Sequence, residues 1–132
     1  MRLLNDECKP RAMSTQSLAF IGDAVYSLFV RERLCCNGLS HSGELQSLSA
    51  KKVNAPSQAR DFRLIEPILT EMEISVYKRG RNAHNNNTPK SSSEAEYHSA
   101  TGVEVLFGYL YLNGETDRAR ELFEIMWESG IE

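Results

Sequence analysis

Hydrophobic side chains recur along this chain mainly at three- and four-residue intervals, the spacing of one face of an α-helix. No alternating apolar and polar run of useful length indicates a strand. The clearest run begins after Ser14, a good N-cap residue, and reaches about Leu34. Its apolar positions are Leu18, Ile21, Val25, Leu28 and Phe29. The pattern predicts an all-α fold.

Capping and breaking residues predict five further helices. Thr70 and Ser93 each stand three residues before a glutamate, which is the capping-box spacing, so a helix is expected to begin after each. Gly114 suits the left-handed residue that ends the second of these helices near Asn113. The other three are expected over residues 42–49, from Ala55 to a break at Pro67, and from Thr116 to Gly130. Residues 83–93 include three consecutive asparagines and no large apolar side chain, which predicts a flexible exposed loop.

Length and composition predict one domain over residues 1–132, with residues 1–13 as a lead-in. With 41% hydrophobic and 25% charged residues, the chain is neither disordered nor collagen-like. The longest apolar run is too short to span a bilayer, and the first residues lack the apolar core of a secretory signal, so no membrane partner is expected. Cys8 and the adjacent Cys35 and Cys36 form neither a disulfide framework nor a zinc-ligand pattern. A cytoplasmic location is expected.

The charge is distributed unevenly along the chain. A net charge of −3 taken alone argues against a nucleic-acid partner. However, residues 51–90 carry eight basic and four acidic side chains, whereas residues 91–132 carry two basic and nine acidic ones. The cations Lys78, Arg79 and Arg81 surround a glycine just before the predicted loop. Such a segment can bind phosphate even in an acidic protein, because screening by salt makes the nearby charges dominate the electrostatic potential at a surface site. Most of the eight cations, Lys51 and Lys52 among them, are nevertheless better interpreted as a solvated helix face.

Two acidic residues stand alone in apolar helical segments. Asp23 is the one charged residue between positions 14 and 30, and Glu104 is the one between 97 and 114. Gly22, Gly102 and Gly108 accompany them, and because a mid-helix glycine costs about 1 kcal/mol, they predict a close approach of two helices. If the acids meet there, their oxygens suit Mg²⁺ or Mn²⁺, which can lower the pKa of a bound water and stabilise charge on a phosphodiester. A lone acid in a helix is more often solvated or hydrogen-bonded, so the spacing leaves both interpretations open.

Three segments resemble the ribonuclease III family. Residues 18–25, Leu-Ala-Phe-Ile-Gly-Asp-Ala-Val, resemble its signature helix, and residues 97–110 resemble its second catalytic helix. Residues 78–83, Lys-Arg-Gly-Arg-Asn-Ala, together with Thr-Pro-Lys at 88–90, resemble the short bacterial Mini-ribonuclease III branch. The resemblance extends over nearly the whole chain, from about residue 16 to residue 123.

The resemblance implies the helical endonuclease fold of that family and a homodimer that cleaves double-stranded RNA with Mg²⁺, with Mn²⁺ as a possible substitute. Asp23 and Glu104 match the catalytic and metal-binding carboxylates. Where longer members have further acids, this chain has Gln16, Ala19 and Thr101, so more of the metal's ligands should be water. The branch's substrate class is precursor ribosomal RNA, particularly that of the large subunit (23S), and the implied products carry a 5′-phosphate and a 3′-hydroxyl.

The same resemblance gives expectations about RNA binding. The 132 residues leave no room for the double-stranded-RNA-binding domain of longer members, so the catalytic dimer itself is expected to grip RNA, with a ribosomal protein as a possible helper. The expected RNA-binding residues are Lys78, Arg79, Arg81, Asn82, Thr88 and Lys90. The alternative is a catalytically inactive helical dimer that binds structured RNA or a ribosomal protein as a scaffold, which the missing acids would favour.

Overall fold

A computed structural model describes residues 1–38, 40–83 and 93–128, and within these ranges the chain forms six α-helices and no strand. The helices are α1 (Thr15–Cys36), α2 (Ser42–Val53), α3 (Ala55–Ile65), α4 (Glu71–Arg81), α5 (Glu94–Leu112) and α6 (Thr116–Glu128). Single 3₁₀ turns occur at Pro10–Ala12 and Glu66–Ile68. The prediction of an all-α fold is confirmed.

The helix starts follow from local capping chemistry. Ser14 Oγ accepts a hydrogen bond from the Ser17 amide at 3.1 Å. Both predicted capping boxes form: the Glu73 amide donates to Thr70 Oγ1 at 3.1 Å while the Thr70 amide donates to Glu73 Oε1 at 2.9 Å, and Ser93 pairs with its glutamate in the same way. Each bond satisfies an amide that the helix itself leaves unpaired.

Several boundaries differ from the sequence-based expectation. Helix α2 continues to Val53 and not to residue 49, because Asn54 caps the next helix by accepting from the Ser57 amide at 2.8 Å. Thr116 is the first residue of α6 and not its cap, since its hydroxyl donates to the Met1 carbonyl at 2.7 Å. The predicted end at Gly130 and most of the predicted loop, residues 84–92, lie outside the described residues.

Helix α5 forms the centre of the core and packs against α1, α3, α4 and α6. From Val103 to Leu110 its residues are buried, with Glu104 as the half-buried exception. The Tyr26 ring of α1 meets Phe107 edge to face, with ring centroids 5.3 Å apart. Burial of this part of α5 on nearly every side places Glu104, its one acid beyond the first turn, at the boundary between core and solvent.

Lys52 is buried, so its interpretation as part of a solvated helix face is wrong. Its side chain is 1% exposed, and Nζ pairs with the buried Asp61 at 3.2 Å. Nζ also donates to the Met126 and Trp127 carbonyls at 3.3 and 3.4 Å, where a cation favourably meets the C-terminal end of α6. The residue therefore ties α2, α3 and α6 together.

Within the ranges that the structure covers, no helix combines the length and the apolar character that crossing a membrane requires.

Candidate active site

Two glycines bring the backbones of α1 and α5 into direct contact. A Cβ atom added at Gly22 would lie 1.6 Å from the Glu104 carbonyl oxygen, and one added at Gly108 would lie 2.0 Å from the Leu18 carbonyl oxygen. This glycine crossing (Gly22 and Gly108) confirms the predicted close approach. Gly102 serves a different contact, because a Cβ there would meet the Tyr77 ring of α4 at 2.6 Å.

The glycine crossing brings the two lone acids together. Asp23 follows Gly22 directly and is exposed, while Glu104 is half-buried. Burial raises the pKa of Glu104 to about 8, and the charge of Asp23 and a hydrogen bond with it act in the same direction. Without a cation, Glu104 therefore retains its proton at neutral pH, and a cation bound between the two groups would displace that proton.

The donor set of this pair fits a hard divalent cation. Among the residues that the structure describes, no third His, Cys, Asp or Glu joins the two acids. The Thr101 hydroxyl donates to the Tyr97 carbonyl of its own helix at 3.0 Å, and Gln16 is exposed. Two carboxylates with solvent on one side match the preference of Mg²⁺ for a few carboxylate oxygens and several waters.

The predicted basic cluster (Lys78, Arg79 and Arg81) lies at the C-terminal end of α4. Lys78 is exposed, and the Arg79 guanidinium donates to the Met13 carbonyl. Arg81 lies 5.9 Å from the centre of the Tyr77 ring, and its Nε donates to Asn82 Oδ1 at 3.2 Å. The other two expected RNA-binding residues, at positions 88 and 90, lie outside the described residues.

The contact between Arg79 and Met13 relates the basic cluster to the acid pair. Met13 lies just before α1, and Asp23 stands eight residues beyond Thr15, the first residue of that helix. Eight helical residues correspond to about 12 Å. The Arg79 end of the basic cluster is therefore about two helical turns of α1 away from the acids.

Sequence reasoning missed what holds the basic end of α4 on α5. A Cβ at Gly80 would lie 2.7 Å from the Val105 side chain and 3.0 Å from the Gly102 Cα atom. The Tyr77 hydroxyl and Ser99 Oγ are hydrogen-bonded at 2.7 Å. The signal in the sequence was Gly80 itself, because a glycine inside a helix can allow close packing against a neighbouring helix.

One position of the apolar face predicted for α1, Leu28, is exposed, and so are two residues outside that face. Phe20 is 84% exposed and Leu28 is 54% exposed, and with the exposed Ala24 they form the α1 stripe (Phe20, Ala24 and Leu28), which flanks Asp23. An apolar groove of about 290 Å³ adjoins this stripe. Its walls include Met1, Leu3, Ile21, Ala24, Leu28 and Tyr111.

The comparison with known families decides the assignment. The family model of the ribonuclease III domain matches residues 16–115, three quarters of the chain and both acids. The chain belongs to the ribonuclease III family. A relative from Symbiobacterium thermophilum named Mini-ribonuclease 3 is 42% identical over 124 residues, which are 94% of this chain and 92% of that protein. A Mini-ribonuclease 3 from Desulfitobacterium hafniense is 44% identical over 112 residues, 85% of this chain and 71% of the relative.

A solved structure supports the same assignment. The X-ray crystal structure of a Fusobacterium nucleatum protein is similar with a TM-score of 0.84 and 29% sequence identity, and the match covers 92% of this chain and 100% of that chain. As a member of the ribonuclease III family, the chain is an endoribonuclease that acts on double-stranded RNA, and the family in general depends on divalent metal ions. The resemblance found in the sequence is confirmed.

Proposed function

We propose that this ribonuclease III family member is a Mg²⁺-dependent homodimeric endoribonuclease that matures precursor large-subunit (23S) ribosomal RNA in the bacterial cytoplasm. The observation that carries the proposal is the meeting of Asp23 and Glu104 at the glycine crossing. The relatives named Mini-ribonuclease 3 come from bacteria, and the resemblance to that branch supports the ribosomal substrate.

Asp23 and Glu104 would hold the metal ion. A bound Mg²⁺ supplies an activated water and stabilises charge on the phosphodiester. A cation held between the two groups would offset the burial and the Asp23 charge that raise the pKa of Glu104, and would therefore favour the ionised carboxylate. Asp23 is exposed and can face a phosphate that approaches from solvent. Hydrolysis then breaks the bond from phosphorus to the 3′-oxygen, leaving a 3′-hydroxyl and a 5′-phosphate.

RNA would be held by the basic cluster and the segment that follows it. A-form RNA is recognised mainly through phosphates and 2′-hydroxyls across its minor groove. The basic cluster supplies cations for the phosphates, and Asn82, Thr88 and Lys90 add hydrogen-bonding groups and one more charge. The distance of about two helical turns from the acid pair is short enough for one duplex to reach both.

The α1 stripe supports a homodimer. Phe20 protrudes from the same face that carries the apolar groove, so one chain presents both a protruding ring and a recess. A two-fold axis lets each copy use both features at once. Such a dimer would offer two acid pairs to the two strands of an RNA duplex.

Substitution of the acids tests the catalytic assignment. Asp23→Asn and Glu104→Gln should each abolish Mg²⁺-dependent cleavage of a long RNA duplex while fold and RNA binding persist, because each removes a metal ligand and no core contact. Glu44→Gln, which changes an exposed acid on α2, is the matched control and should cleave normally. Cleavage retained by either acid variant would refute the assignment.

The unmodified protein in the same assay tests the remaining alternatives. If duplex RNA yields no Mg²⁺-dependent fragments at all, the inactive scaffold is favoured. End mapping on a precursor 23S transcript, with and without ribosomal proteins, tests the proposed substrate and helper. Cuts at scattered positions in both conditions would count against a maturation role.

The salt dependence of RNA binding tests the basic cluster. Replacing Lys78, Arg79 and Arg81 by Gln should weaken duplex binding and reduce the slope of log K against log salt by about one for each phosphate that a cation no longer neutralises. Arg120→Gln, at an exposed position of α6, serves as the control with an unchanged slope. An unchanged slope in the triple variant would place the RNA elsewhere.

A further inference from the structure

The N-terminal segment (residues 1–4) is held in place by backbone hydrogen bonds of Met1 and Leu3. The Leu3 amide donates to the Tyr111 hydroxyl at 2.8 Å. The Thr116 hydroxyl donates to the Met1 carbonyl at 2.7 Å and accepts from the Met1 ammonium at 3.3 Å. These bonds connect the N-terminal segment to the end of α5 and the start of α6.

The apolar side chains of this segment nevertheless face water. Met1 is 91% exposed, Leu3 is 79% exposed and Leu4 is 68% exposed. A single exposed leucine needs no explanation, whereas a contiguous apolar patch usually marks an interaction surface. Here the backbone is ordered by hydrogen bonds and the apolar groups are presented outward.

The N-terminal segment is continuous with the α1 stripe. Met1 and Leu3 line the apolar groove together with Ala24 and Leu28. Residues that precede α1 and residues in the middle of α1 thus build one surface. That surface borders Asp23 through its neighbour Ala24.

We infer that the N-terminal segment forms part of the contact with a second copy of this chain, and that Leu3 and Leu4 cover the partner's α1 stripe. The inference rests on the proposed homodimer and names residues that the dimer would use. Aromatic residues bury roughly 150–250 Å² each. With about 190 Å² per residue, weighted by the exposed fractions, Met1, Leu3, Leu4, Phe20 and Leu28 together expose on the order of 700 Å². A standard interface buries about 800 Å² per partner. The α1 stripe alone falls well short of that area, and the N-terminal segment supplies more than half of the apolar total.

A double substitution tests the inference directly. Leu3→Ser with Leu4→Ser should weaken dimerisation at least tenfold, measured by sedimentation velocity over a dilution series, because both leucines occur twice in the dimer. Leu64→Ser, at a leucine of α3 that is 43% exposed, is the control for loss of an exposed leucine and should dimerise as the unmodified protein does. Far-UV circular dichroism and the urea midpoint verify the fold, which these exposed positions should not affect.

A second variant separates the leucine side chains from the bonds that hold them. Thr116→Val removes both hydrogen bonds of Met1 and leaves every apolar group of the segment present. It should weaken dimerisation by a smaller factor than the double substitution, because the leucines then have to be ordered on association. Dimerisation unchanged in both variants would overturn the inference.

Phe20→Glu distinguishes failure of this inference from failure of the proposed homodimer. If Phe20→Glu is monomeric while the double leucine variant dimerises normally, the dimer stands and the role of the N-terminal segment is refuted. If the unmodified protein is monomeric, or if Phe20→Glu dimerises as well as the unmodified protein, the proposed dimer face is wrong and the inference fails with it. Another occupant, such as a lipid surface or a different protein, then has to account for the patch.

Discussion

Replacing Gly22 by alanine places a methyl group where α1 and α5 have no space. The added Cβ would lie 1.6 Å from the Glu104 carbonyl oxygen and 2.9 Å from the Gly108 amide nitrogen. A carbon and an oxygen that are not bonded stay more than about 3 Å apart, so the helices must separate by about 1.5 Å. Both obstructing atoms belong to the backbone, and no side-chain rotation can relieve the contact.

The energetic cost follows from two opposing terms. Overpacking in a core typically costs about 1–3 kcal/mol, and contact between backbones belongs at the upper end of that range or above it. The helix itself gains about 1 kcal/mol when alanine replaces glycine. The net loss of unfolding free energy for Gly22→Ala should therefore be about 2 kcal/mol or more.

Urea unfolding followed by far-UV circular dichroism measures this loss. With an m-value of about 1–3 kcal/mol per molar urea, the midpoint should fall by about 1 M. Gly43→Ala is the matched control, since Gly43 also lies in a helix but a Cβ there meets nothing within 4 Å; it should stabilise the protein slightly. If Gly22→Ala unfolds at the same urea concentration as the unmodified protein or a higher one, the account of the glycine crossing is wrong.

The crossing also predicts non-additivity. Gly108→Ala would place a Cβ 2.0 Å from the Leu18 carbonyl oxygen and requires the same separation of α1 from α5. Once Gly22→Ala has separated the helices, the second methyl group costs less. The double variant should therefore lose less unfolding free energy than the sum of the two single losses. Strict additivity in the urea midpoints would instead mean that the two methyl groups do not act through one shared separation of α1 from α5.

Three further predictions concern titration and buried charge. Because the pKa of Glu104 lies at about 8 in the metal-free fold against an ordinary 4.5, the folded state binds this proton more tightly than the unfolded state. In EDTA the unfolding free energy that this proton contributes should be fully present below pH 4.5 and lost by pH 9, a decrease of at most about 5 kcal/mol. Urea titrations of Glu104→Gln should lack that decrease, and an equal decrease in the variant would contradict the raised pKa of Glu104. Lys52→Met breaks a buried ion pair and should cost about 3 kcal/mol or more, whereas Lys51→Met at the exposed neighbour should change the urea midpoint little; equal effects would be inconsistent with the buried pair. Arg118 lowers the pKa of Glu73 through its hydrogen bonds, so the stability that this pair contributes is present above pH 4.5 and is lost as the pH falls through the lowered pKa. Arg118→Gln should therefore cost about 2 kcal/mol of unfolding free energy at pH 7 and reduce the loss of stability at acidic pH. An unchanged loss at acidic pH would refute the role of the pair.

Local chemistry explains which parts of the fold could be predicted from sequence. The capping boxes at Thr70 and Ser93 involve atoms three residues apart, so their spacing alone locates the helix starts. Gly22 and Gly108 were informative because a glycine in a helix is unfavourable unless something requires its lack of a side chain. The glycines predicted the close approach of two helices, whereas the meeting of the two acids stayed open on spacing alone and was implied by the family resemblance.

The remaining features depend on partners distant in the chain. Lys52 contacts Asp61 and the backbone near Met126, and nothing in the residues around position 52 distinguishes a buried lysine from a solvated one. Leu28 belongs to the predicted apolar face of α1, but periodicity records only that a face is apolar and not whether the same chain or another one covers it. The site's acids were predictable, whereas the surface beside them was not.

At the glycine crossing the backbones of α1 and α5 meet directly, so the van der Waals radii of backbone atoms set the separation of the helices and of the carboxylates that they carry. Exchanges of similar volume elsewhere in the core, at Val103 or Leu106 for example, can accumulate over evolution without altering that separation. The spacing of the two acids is thereby insulated from most mutational drift in the protein interior. The same arrangement concentrates its vulnerability at two positions, where the smallest possible addition, one methyl group, reaches both acids at once.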